Sequence, residues 1–280
     1  MNLLLVTTFT LTLLVNGLLT KFLIMNGLKG HELLILSGLG SLVCVVLQSM
    51  KYSHSLNPQN KRKQFFRALL AGGALYLITA SYEHLSATSV SLVSRTDLAL
   101  LILLGPLAQV PSKLLHRVGA AVAILFILGF IGLRDEFRGV LMAFSGTVAI
   151  TAGYLFIKAS MKEENTSVSI LTPSLAILAF GSVIAATASG PFLNARPWVI
   201  LGGVVLGALM FLIYRLTMKM YALMDIASAE YPTLVASGLM LPLEIYFFRT
   251  QFPLIHVLLI FTFIFLAGAG IKLFSRYQEA

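Results

Sequence analysis

Long apolar runs separated by short polar stretches fill this chain from end to end. A helix rises about 1.5 Å per residue, so roughly twenty apolar residues cross the hydrocarbon of a bilayer. Runs of that length fall at 3–25, 32–50, 65–83, 86–108, 114–133, 139–160, 168–188, 198–221, 224–247 and 254–274. They are continuously apolar and do not alternate with polar residues, which excludes a β-barrel. The pattern therefore predicts an all-α polytopic membrane protein with ten transmembrane spans. The breaks carry loop chemistry: Asn26-Gly27, Asn57-Pro58 with Lys61-Arg62-Lys63, Arg134-Asp135-Glu136, Lys162-Glu163-Glu164-Asn165 and Gly190-Pro191. None is long enough to fold as a separate soluble domain. The first run has no basic region before it and no small-residue cleavage pattern, so it reads as a span and not as a signal peptide.

Composition agrees with this reading. Hydrophobic residues make up 58% of the chain and charged residues 11%, about half the charge of an ordinary soluble domain. The net charge of +9 sits in short loops, where it orients helices and needs no nucleic acid to explain it. With the N-terminus inside, thirteen basic residues fall on the inner side: Lys51, Lys61, Arg62, Lys63, Arg67, Lys113, Arg117, Lys158, Lys162, Arg215, Lys219, Lys272 and Arg276. Five fall outside: Lys29, Arg134, Arg138, Arg196 and Arg249. Both termini are thus expected in the cytoplasm, with the chain in the cell (inner) membrane.

Ten spans divide into five and five, and the odd number makes the second half enter the membrane from the opposite side. Two halves of one fold, 1–137 and 138–280, would then form an inverted repeat. Short matches support this. Ser94-Arg95-Thr96-Asp97 is followed twelve residues later by Gln109, and Ala229-Glu230-Tyr231-Pro232 twelve residues later by Glu244. Leu18 to Lys21 also aligns on Leu155 to Lys158.

Two segments, YEHLSATSVSLVSRTDLALLILL at 82–104 and ASAEYPTLVASGLMLPLE at 227–244, resemble the fourth- and ninth-helix segments of the drug/metabolite transporter superfamily, in its EamA-like branch. Glu244 stands at the acidic position that closes such a run, and Gln109 replaces that acid in the first half. The resemblance covers the whole length of the chain. It implies a ten-helix inverted repeat around a central cavity, lined by spans 3, 4, 8 and 9 and gated by spans 1, 2, 6 and 7. Such proteins move amino acids, nucleotide sugars, organic phosphates, quaternary amines or other metabolites.

An ionisable residue at bilayer depth costs a few kcal/mol and usually marks function. Arg95 and Asp97 lie in the middle of span 4. On one continuous helix they point about 200° apart, so each is expected to need a partner elsewhere. Thr88, Ser91 and Arg95 share a stripe, and Glu230, Ser237 and Glu244 share another on span 9. Arg95 reads either as the receptor of an anionic substrate group or as half of an ion pair with Glu230. Asp97 reads as a proton-coupling group or a structural acceptor. Lys21 and Lys158 read as snorkelling cations or as symmetry-related gates. Ser94, Asn16, Tyr76, Tyr154 and Tyr214 complete the candidate substrate site, because aromatic rings with polar tips suit an amphipathic solute. Cys44 reads as packing.

The chain contains no phosphate-binding glycine loop, no HExxH, no GxSxG and no metal-ligand spacing, so no enzyme, metal or cofactor is expected. The expected activity is secondary transport of a small amino-acid-like zwitterion or anion, proton-coupled or by exchange, in a monomer surrounded by lipid. A lipid-flipping or channel-like component is the alternative.

Overall fold

A computed structural model describes residues 3–52, 56–104, 114–132, 136–160, 166–188, 191–223, 226–253, 257–258, 260–262 and 264–265. Among them ten helices run in order: α1 (Leu3–Met25), α2 (Gly30–Tyr52), α3 (Lys61–Ser81), α4 (Ala87–Ser94), α5 (Thr96–Leu104), α6 (Leu114–Gly132), α7 (Phe137–Ser160), α8 (Thr166–Thr187), α9 (Pro197–Leu223) and α10 (Ile226–Phe248). Helical residues follow again between 257 and 265. Helices cover the first nine predicted runs with small shifts, except that the fourth run is two helices. Most of span 10 lies outside the described residues.

Among the described residues, five helical stretches are long and apolar enough to cross a membrane: Leu3–Met25, Gly30–Tyr52, Thr166–Thr187, Pro197–Met220 and Tyr231–Phe248. Arg117–Gly132 and Phe137–Gly153 are shorter apolar helices. Large apolar side chains such as Leu4, Leu125, Val183, Leu201 and Phe265 stand exposed around the bundle. Water penalises apolar surface on that scale and lipid does not. The protein is an integral membrane protein.

Close helix crossings hold the bundle together. A Cβ on Gly38 of α2 would meet Leu178 of α8, and one on Gly181 of α8 would meet Ile35 of α2. Gly40 and Gly207 bring the backbones of α2 and α9 together, and Gly72 seats α3 against Ala176 and Phe180 of α8. Small residues permit this approach, which in lipid supplies the dispersion contacts that replace a hydrophobic drive. α3 packs on α7, α1 on α9 and α10, and α4 on both α7 and α10.

The short turn between α3 and α4 collects contacts from all sides. Lys21 of α1 donates from Nζ to Tyr82 O at 2.8 Å and to Leu85 O at 2.7 Å. Gly30 N, where α2 begins, donates to Glu83 Oε1 at 2.8 Å. His84 Nδ1 and Glu136 Oε2, just before α7, are 2.6 Å apart. A neighbouring loop is held similarly: Glu32, 1% exposed, accepts from Lys29 N and from Leu193 N at 2.7 Å. Leu193 has φ 54, a left-handed conformation that costs a non-glycine residue and needs such a tie.

Candidate substrate site at the break in span 4

The residues that part α4 from α5 compete with the helix for its own carbonyls. Thr96 Oγ1 donates to Val93 O at 2.7 Å, and Arg95 N turns back to Leu92 O at 3.0 Å, an i to i−3 bond. Serine and threonine hydroxyls offer such local alternatives to the regular ladder. Arg95 stands at the break, and Asp97 lies in the first turn of α5, where the helix dipole favours a carboxylate.

The break overturns one expectation. Arg95 Nη1 and Asp97 Oδ2 are 3.5 Å apart, and both side chains are largely buried. The 200° separation holds only along one uninterrupted helix, and this helix is interrupted between them. Their separation exceeds the 2.7–2.9 Å of a tight charge-assisted bond. Arg95 Nε also reaches Ser91 O at 3.4 Å.

The two predicted polar stripes face each other. Ser91 Oγ and Ser237 Oγ are 2.7 Å apart across α4 and α10. Towards the α3–α4 turn, Glu244 of α10, 1% exposed, accepts from Ala87 N at 2.9 Å and from Thr88 N at 2.7 Å. Ser86 Oγ takes the next donor, Ser89 N, at 3.0 Å. Three of the first N–H groups of α4, which no intrahelical carbonyl can reach, are thus answered by side chains. Thr88 is 0% exposed, and its Oγ1 has no hydrogen-bond partner. The Tyr82 hydroxyl lies in electrostatic reach of both Glu244 and Arg95. It also approaches Gly17 of α1, where a Cβ would stand 3.5 Å from it. Asn16, one residue earlier, carries a buried Oδ1 without a partner.

The structure therefore brings together Ser91, Arg95, Asp97 and Ser237 with Tyr82, Thr88 and Glu244, and places Ser94 half-buried at the end of α4. Lys21 bonds to two carbonyls of the α3–α4 turn, Tyr82 O at the C-cap of α3 and Leu85 O just before the N-cap of α4. Tyr214 lies in electrostatic reach of Arg67, and Tyr76 is half-buried on α3. The side chains of Tyr154, Lys158 and Glu230 lie outside the described residues. Arg67, counted from the sequence among loop cations, is 3% exposed inside the bundle.

Two sequence signals pointed to contacts that pattern reading missed. Ser86 preceding a helical run is an N-cap signal, and a capped helix start in lipid calls for an acceptor such as Glu244. Pro173 in α8 leaves the carbonyl four residues earlier without its helical donor.

No family profile and no curated protein matches the sequence. A solved structure described as "Crystal structure of protein" is similar in fold with a TM-score of 0.71 at 16% identity, covering 98% of this chain and 98% of that one. At that identity the likeness speaks for the fold alone, and it spans essentially the full length of both chains.

Proposed function

We propose that the protein is a secondary transporter that carries a small anionic or zwitterionic metabolite by alternating access, with the Arg95–Asp97 break as its binding centre. The observation that carries this reading is the ion pair buried at an interrupted span, among hydroxyls of α4 and α10. Broken helices place charge and free backbone groups at bilayer depth where a cavity is lined, and a span that only packs has no use for them. Arg95 receives the anionic group of the solute; Asp97 takes a cationic group or a proton.

The helix packing supports a five-plus-five inverted repeat. Gly38 meets Leu178 while Gly181 meets Ile35, and both residues of the first pair map to the second by the same shift of 143. α3 on α7 answers to α9 on α1, and α3 on α8 to α9 on α2. The excess of basic residues on one side supports cytoplasmic termini in a cell membrane, and internal use of the small-residue faces supports a monomer.

Counterflow of radiolabelled amino acids in proteoliposomes tests the reading. Saturable exchange in the wild type, lost in Arg95→Ala protein that inserts normally, is expected. Undiminished exchange in that variant, or accelerated lipid exchange without solute flux, refutes it.

A further inference from the structure

α4 is only eight residues long, about 12 Å by helix rise, and it has a joint at each end. Ser86 caps it in an extended conformation with ψ 156, and Arg95 ends it at the break. Between the joints the helix is regular. A rigid segment between two joints moves as a unit, with the change of dihedrals taken up at its ends. Whatever holds the turn at 82–86 therefore sets the position of Arg95 at the other end of α4.

That turn is held from three elements. Lys21 of α1 donates to Tyr82 O and Leu85 O. Glu83 Oε1 accepts from Gly30 N at the start of α2. His84 pairs with Glu136, next to α7. Gly139 of α7 sits close enough that a Cβ there would stand 2.7 Å from His84 Cβ and 2.8 Å from Leu85 Cγ. Tyr82 and Leu85 are buried, but the two carboxylates that tie the turn are not: Glu83 is exposed, and the Glu136 side chain is 66% exposed. Bonds made by exposed carboxylates compete with water, so they break and re-form at low cost. Ties of that kind suit a closure that opens and shuts.

We propose that the α3–α4 turn is the latch of a gate on its own face of the membrane. Lys21, Glu83 and the His84–Glu136 pair hold it shut. On release, α4 swings about the break at Arg95 and opens the candidate substrate site to that face. The inference rests on the transport reading and adds to it the element that closes the site on this side.

The test is the rate at which a membrane-impermeant maleimide labels Ser91→Cys in a Cys44→Ser background. The full chain is labelled separately in intact cells and in inverted membranes. Asn26→Cys, an exposed position in the α1–α2 loop, shows which preparation presents the face that carries the turn. Glu83→Ala with Glu136→Ala is expected to raise labelling of Ser91→Cys from that face by about tenfold and to lower it from the opposite face. Lys21→Met is expected to act in the same direction. The Glu83 and Glu136 changes are at exposed side chains, so they keep the test open if Lys21→Met fails to fold; Ser94→Cys replaces the reporter if Ser91→Cys does not insert. Unchanged labelling in the double variant makes the turn a packing contact and overturns the latch. An equal rise from both faces marks general loosening and overturns it too. Saturable counterflow with unchanged labelling sinks the latch alone, whereas the expected labelling without any counterflow sinks the transport reading and leaves the moving turn.

Discussion

Removing the Glu244 carboxylate tests the central geometry most directly. In lipid the N–H groups that open a helix cannot fall back on water, so their acceptors are part of the fold. Glu244 accepts from two of them, Ala87 N and Thr88 N, at 2.9 and 2.7 Å while 1% exposed. Glu244→Ala leaves both donors buried and unmet, at about 1–3 kcal/mol each, or about 2–6 kcal/mol together. Glu244→Gln keeps one acceptor oxygen and turns its amide N–H groups towards the second donor, so its cost is about half of that. The loss of negative charge at the α4 N-terminus adds up to about 1 kcal/mol in either variant. At roughly 2 °C per kcal/mol for a chain of this size, Ala lowers the unfolding midpoint by about 4–14 °C and Gln by about 2–8 °C. A thermal ramp of purified protein in detergent, followed by far-UV circular dichroism, measures both. Midpoints within about 1 °C of wild type for both variants would falsify the capping role, and Gln below Ala would refute the count of lost acceptors.

Three other perturbations probe separate contacts. Arg95→Ala and Asp97→Ala each leave an unbalanced buried charge and cost about 3–5 kcal/mol at most, whereas the double variant Arg95→Ala with Asp97→Ala is less destabilising than the sum; additivity within about 0.5 kcal/mol in a denaturant series rules out the pairing. Gly207→Ala forces a Cβ against the backbone of Ser41 at 2.7 Å and Gly40 at 2.8 Å and lowers stability by about 1–3 kcal/mol. Gly119→Ala meets nothing within 4 Å and raises it by about 0.5–1 kcal/mol; equal effects in melting curves contradict the α2–α9 contact. Lys21→Met strips two carbonyls of a charged donor and lowers stability by about 2–4 kcal/mol, while an unchanged midpoint returns Lys21 to the snorkelling role.

What the chain's order of residues decides is where it meets lipid. Twenty-residue apolar runs and 11% charge have one physical solution, a bundle of membrane helices, because no other solvent tolerates Leu4, Leu125 and Phe265 at its surface. The same scarcity of charge made Arg95 and Asp97 conspicuous before any geometry was known. Periodicity also put Ser91 and Ser237 on the correct faces. It failed where a helix stops being regular. The rule of 100° per residue separated Arg95 from Asp97, and only the break at Arg95, made by hydroxyls bonding back to the chain, brings them together. Nor does spacing reveal a partner 156 residues away, as Glu244 is for Thr88, or that Arg67 leaves the loop side and donates to Ser169 O, the carbonyl that Pro173 empties. Helix membership is a local property, set by desolvation of one segment at a time. The pairing of buried polar groups is a property of the packed bundle, and it is there that the tertiary structure chose which charges meet.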